Sequence, residues 1–122
     1  MSIQQNKPQF IRLLENNLKS ELPGEKAHDI MRTGPKLPKA TEYLTKAPVP
    51  SAVLILLFPK RNSFNFILTL RSKNVETHKG QISLPGGVQE ADESLEETAL
   101  REANEEIGVL PETVDILSLI HI

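Results

Sequence analysis

The chain has 122 residues, 39% of them apolar and 4% aromatic, with a formal net charge of −2 and no cysteine. That length supports one domain with a modest core; the charge argues against a nucleic-acid partner, and the missing cysteines exclude disulfides and thiolate chemistry. The longest apolar run, 52–58, is far too short to span a bilayer, and the N-terminal MSIQQNKPQF lacks the order of a signal peptide, so no membrane partner and a cytoplasmic location are expected.

Residues 8–22 predict an amphipathic helix. Pro8 suits its first turn, Phe10, Ile11, Leu13, Leu14 and Leu18 recur at helical spacing, and Leu22-Pro23-Gly24 stops it. A short helix is expected from Glu25 to Met31, with His28 a surface or packing residue rather than a ligand. Four prolines between Gly34 and Pro50 then impose an extended connector. On this reading 1–50 is an N-terminal helical arm and connector, and 51–122 is the main domain.

The apolar run 52–58 predicts a strand covered on both faces. After a polar turn at 59–63, residues 64–71 alternate, with Phe64, Phe66, Leu68 and Leu70 on one side, and the two segments predict a hairpin. A polar loop at 72–80 leads to a short strand, 81–84, and into Pro85-Gly86-Gly87. Near the end, 114–120 reads as the start of a further strand.

The informative stretch is 87–109, GVQEADESLEETALREANEEIGV. Ser94 can cap a helix, with Glu97 reaching back as its capping-box partner. Gly108 stands where a helix ending near Ile107 needs a left-handed residue. Between them Glu102, Glu105 and Glu106 fall within about a quarter of the helix circumference, beside an apolar stripe of Ala99, Leu100, Ala103 and Ile107. Grouped like charges repel and do nothing for a helix. They suit a hard divalent cation, Mg2+ or Mn2+, which takes carboxylate oxygens together with water and substrate phosphate. The alternative is a solvated acidic face. Between 90 and 112 Arg101 is the one cation, so bare phosphate is repelled and the metal must mediate its binding.

The spacing G-x5-E-x7-R-E-A-x-E-E-x-G-V resembles the box of the Nudix hydrolases at every fixed position, with Ala103 where that family usually has a larger aliphatic residue. Upstream, LTLRSKNVETHKGQISLPGG (68–87) resembles the signature of the coenzyme A pyrophosphatase branch. Arg71, Ser72, His78, Gly80, Gln81, Pro85, Gly86 and Gly87 stand in register, and Leu84 replaces the usual Phe. Leu22-Pro23-Gly24, Ala27-His28 and Met31 also resemble the N-terminal arm of that branch.

The resemblance implies an α+β protein, a Nudix-type α/β/α sandwich with a mixed sheet. It implies metal-dependent hydrolysis of coenzyme A or its derivatives to 3′,5′-ADP and 4′-phosphopantetheine or its acyl form. Glu102, Glu105 and Glu106 would be the catalytic and metal-binding carboxylates, with the Gly86 carbonyl as an extra ligand. Arg71 would grip a substrate phosphate in a forked contact. Ser72, His78 and Gln81 would touch substrate or, alternatively, satisfy their own loop. Gly87, Glu93, Arg101 and Gly108 would be structural, with Arg101 holding the Glu93 carboxylate against the helix. Two other readings keep the box: a different nucleoside diphosphate substrate such as ADP-ribose or an oxidised nucleotide, and a non-catalytic scaffold that binds a ligand or partner.

Thirteen residues follow Val109, too few for the further strands and second major helix of that sandwich. The chain therefore reads as C-terminally truncated, with 117–122 open to being non-native sequence and His121 without a role. By itself it is expected to be poorly stable or inactive, and an unfinished sheet edge would favour a homodimer.

Overall fold

The computed structural model describes residues 7–35, 47–72 and 80–121. In chain order its elements are α1 (Gln9–Leu18), α2 (Glu25–Ile30), β1 (Ser51–Val53), β2 (Leu57–Lys60), β3 (Ser63–Phe66), β4 (Thr69–Leu70), β5 (Ile82–Ser83), β6 (Gly86–Val88), α3 (Leu95–Ile107) and a 3-10 turn (Pro111–Thr113). They fall into two compact units, one of residues 47–72 and 80–114, the other of residues 7–35 and 115–121.

In the first unit α3 lies on β6 and β1, with the 3-10 turn packed on the same helix. Thr98, Ala99 and Ala103 are its buried residues, and Pro85 is buried at the entrance to β6. The helix has the ends its sequence encodes. Ser94 Oγ accepts from the Glu97 amide at 3.2 Å, and Glu97 Oε2 accepts from the Ser94 amide at 2.7 Å. At the other end Gly108 takes φ 71°, ψ 20°, and its amide bonds the Asn104 carbonyl. Replacing Ser94 by Ala leaves an orphan amide at Glu97 and is expected to cost about 1 kcal/mol. A thermal melt of the variant checks this; an unshifted transition would show that tertiary packing, not the cap, fixes the start of α3.

The strands form three two-stranded antiparallel pairs: β1 with β6, β2 with β3, and β4 with β5. Among the described residues the expected mixed sheet is not assembled. The β2–β3 hairpin is present, pairing Leu57 with Phe66 and Lys60 with Ser63 around a two-residue turn in which Arg61 takes φ 57°. The run 52–58, however, is not one strand. It leaves its ladder with β6 after Val53 and starts a second with β3 at Leu57. Val53 and Ile55 are 57% and 60% exposed, so the run is not covered on both faces. Apolar continuity marks residues that pack well on a pleated surface but does not specify one partner for them. Likewise 64–71 divides into β3 and β4, which belong to different pairs.

In the second unit α1 ends at Leu18 rather than near Leu22, closed by bonds from the Lys19 and Ser20 amides to the Asn16 and Asn17 carbonyls. Pro8 precedes the helix as its N-cap and is not in the first turn. Glu15 sits between Lys7 and Lys19, at 3.5 and 3.9 Å. The segment 114–120 forms no strand. Its residues after Val114 group with the N-terminal segment, and among the described residues they join no strand ladder. No helix among the described residues is long and apolar enough to cross a membrane.

Candidate active site

The ladder between β1 and β6 sets the first part of the site. The Leu54 amide donates to the Pro85 carbonyl at 2.8 Å, and the Gln89 amide to the Pro50 carbonyl at 2.9 Å. With Ala52 opposite Gly87, these bonds fix the phase: Gly87 turns its polar groups to Ala52, while those of Gly86 and Val88 point away from β1. On that outer side the Val88 carbonyl accepts from Arg101 Nη2 at 3.1 Å. The Gly86 carbonyl faces the same way.

Glu102 comes down from α3 onto this strand. A methyl group at Gly87 would collide with the Glu102 carboxylate, so the missing side chain is the space the carboxylate occupies. Small buried residues on the helix, Ala99 and Ala103, match this close approach. The unusual Ala103 is fully buried there.

Arg101 joins the loop, the strand and the helix. Its Nε donates to Glu93 Oε2 at 3.1 Å and its Nη2 to Glu93 Oε1 at 2.9 Å, a forked pair. Nη1 donates to Glu102 Oε1 at 3.0 Å and to Glu105 Oε1 at 3.4 Å. Glu93 receives more: the Glu90 amide donates to Oε1 at 2.7 Å and the Thr98 hydroxyl lies 3.0 Å from the same atom. Gln89 Nε2 donates to the Glu93 carbonyl at 2.6 Å. The Arg101 guanidinium, then the Glu90 amide, hold the Glu93 carboxyl at about 2, well below its ordinary value of 4.5. Reciprocally, Glu93 raises the Arg101 pKa. At the helix start, bonds from Ser94 lower Glu97.

These shifts carry a sign for stability. A carboxyl depressed in the fold stabilises it fully above its unfolded value, and that contribution disappears as the group is protonated. The melting temperature is expected to be flat from neutral pH to about 5, then to fall as pH drops from 4.5 towards 2. Glu93→Gln should melt lower at neutral pH and show a shallower acid limb. Equal acid limbs in the two proteins would place the titrating groups elsewhere.

Glu106 is exposed, and its carboxylate makes no hydrogen bond or ion pair with another described residue. Among the described residues the carboxylates do not converge on one point as a closed metal cluster; Glu102 and Glu105 turn to Arg101. Their chemistry nevertheless fits a hard cation: three glutamates at i, i+3 and i+4, one in a cradle that a Cβ would fill, beside an outward carbonyl at Gly86.

The second predicted cluster is only partly described. Arg71 and Gln81 face each other as the β4–β5 ladder continues, the Arg71 amide bonding the Gln81 carbonyl at 2.9 Å. Gly80, at φ 68°, returns its amide to the Arg71 carbonyl at 3.1 Å. Arg71, Ser72 and Gln81 are exposed, and the Arg71 guanidinium makes no hydrogen bond or ion pair with another described residue. The hairpin packs on no other helix or strand among the described elements, so it is not brought against α3. His78 lies outside the described residues.

Sequence reasoning missed Thr98, Gln89 and the Val88 carbonyl. Thr98 had a readable signal, three residues before Arg101 and four before Glu102 on one helix face. Nothing local marks the Val88 carbonyl.

The NUDIX domain family model matches residues 48–121, more than half of the chain. The chain belongs to the Nudix family. It is 47% identical over 73 residues to "Nudix hydrolase 15, mitochondrial" of Arabidopsis thaliana, covering 58% of this chain and 26% of that protein. With "Nudix hydrolase 22, chloroplastic" of the same plant it shares 45% over 75 residues, 60% of this chain and 25% of the relative. With "Uncharacterized Nudix hydrolase NudL" of Enterobacter sp. (strain 638) it shares 42% over 71 residues, 57% and 36%. The match thus spans between a quarter and about a third of the length of these relatives. The Nudix assignment accounts for the mixture of helices and short strands and for the α3 glutamates lying against a glycine strand.

Proposed function

We propose that this chain carries the cation- and diphosphate-binding part of a Nudix pyrophosphohydrolase that cleaves coenzyme A or its derivatives to 3′,5′-ADP and 4′-phosphopantetheine or its acyl form. The observation that carries the reading is Glu102, seated in the space left by Gly87 and oriented by Arg101. Glu102, Glu105, Glu106 and the Gly86 carbonyl would hold Mg2+ or Mn2+. When bound, such a cation neutralises charge on diphosphate oxygens and lowers the pKa of coordinated water.

The chain's own residues do the rest. Glu93 and Arg101 fix the loop after β6 to the helix, so the glutamates are presented from a rigid element rather than a mobile loop. A carboxylate of the α3 set takes the proton of the attacking water. Arg71, on the exposed hairpin, offers a planar fork to a phosphate oxygen pair. The choice of coenzyme A is supported by the register of Arg71, Ser72, His78, Gly80, Gln81 and Pro85-Gly86-Gly87 with the signature described above.

The experiment is metal-dependent hydrolysis with product analysis, on this chain and on a form extended at its C-terminus. Release of 3′,5′-ADP from coenzyme A is expected in Mg2+ or Mn2+. Cleavage of ADP-ribose or an oxidised nucleotide without cleavage of coenzyme A would keep the site and reject the substrate. No hydrolysis of any of them, with metal binding indifferent to Glu102→Gln and Glu106→Gln, would leave a scaffold.

A further inference from the structure

The guanidinium of Arg101 is used asymmetrically. Nε and Nη2 are committed to Glu93 and the Val88 carbonyl, at 3.1, 2.9 and 3.1 Å. Nη1 alone faces the carboxylates proposed as metal ligands, Glu102 at 3.0 Å and Glu105 at 3.4 Å. The Arg101, Glu93 and Glu102 side chains are 24%, 15% and 19% exposed, so solvent screens this group only in part. Glu105, at 58%, is the looser partner. We propose that Arg101 is a built-in counter-cation for the α3 glutamates: in the metal-free protein it pairs with Glu102 and Glu105 and offsets part of their charge, and cation binding exchanges Nη1 for the metal at Glu102.

The inference rests on the metal-binding reading above and adds an opposite sign to Arg101. As a clamp to Glu93 it supports the site. As the occupant of Glu102 it weakens the site's hold on metal, because each binding event must break a charge-assisted bond. The anchor on Glu93 means that the arginine need not leave. Only the Glu102 and Glu105 carboxylates turn. The arrangement eases the repulsion between Glu102 and Glu105 on one helix when no cation is present.

The test has two independent readings on the 122-residue chain. Mn2+ affinity is measured by electron paramagnetic resonance for the wild type and for Arg101→Gln. The variant is expected to bind roughly fivefold tighter, the scale of one partly screened charge pair. Unchanged or weaker binding by a folded variant overturns the exchange and leaves Arg101 as a clamp. Should Arg101→Gln fail to fold, the wild type decides through the 15N side-chain resonances of Arg101 under Mg2+ titration. The Nη signals are expected to shift or broaden while Nε, on Glu93, stays in place. Nη signals unmoved at saturating Mg2+ overturn the proposal. Absence of any Mn2+ binding by the wild type overturns it together with the metal-binding reading, which separates the two failures.

Discussion

Glu102→Gln is expected to cut metal-dependent hydrolysis by at least about 100-fold, beyond the 10–100-fold typical of residues that only support a ligand. The substitution keeps the shape of the side chain and an oxygen to accept from Arg101 Nη1, which lies 3.0 Å away. It removes the charge that a divalent cation needs. The fold should therefore survive while Mn2+ affinity falls in parallel with the rate. Glu105→Gln is expected to do less, because Glu105 is 58% exposed and meets Arg101 at the longer distance of 3.4 Å. Both are measured as kcat/KM and as Mn2+ binding, so that the affinity decides where turnover by this chain is slow. A Glu102→Gln protein with wild-type rate and affinity would remove Glu102 from the site.

The paired glycines should separate stability from function. A methyl group at Gly86 would run into the Ala52 carbonyl and the Val53 backbone, neither of which can swing aside. Gly86→Ala is expected to pry β1 from β6, at a cost of about 1–3 kcal/mol. For a domain of this size that is a fall in melting temperature of roughly 4–8 °C per kcal/mol. A methyl at Gly87 meets only the end of the Glu102 side chain, which can rotate. Gly87→Ala should therefore melt within about 1 kcal/mol of the wild type yet bind Mn2+ more weakly, because the displaced carboxylate is the ligand. If the two variants melt alike and bind alike, the close contact between α3 and β6 is not what shapes the site.

The features legible from sequence are those whose partners lie nearby in the chain. Ser94 and Glu97 satisfy each other across three residues, Gly108 closes the helix thirteen residues after Leu95 begins it, and Glu102, Glu105 and Glu106 share a side through helical geometry alone. The β2–β3 hairpin is local in the same sense, with two residues between its strands. Strand partners further away were not legible. Residues 52–58 look like one strand because an apolar run states burial and not pairing; the fold gives its first half to Gly86–Val88, more than thirty residues on, and its second half to the neighbouring hairpin. The same reason applies to 114–120, whose apolar residues read as a strand but have no ladder among the described residues.

By itself, then, the sequence determined the helix that carries the carboxylates, its two ends and the side on which they lie, because backbone hydrogen bonds and caps of a helix close within four residues. Tertiary structure alone decided what that side meets. It laid Glu102 into the space above Gly87, turned the Gly86 and Val88 carbonyls outward, and let one guanidinium reach Glu93, Val88 and Glu102 together. Those contacts depend on the phase of a strand ladder and the distance of closest approach between helix and strand, which are set by packing in three dimensions and leave no periodic trace in the chain.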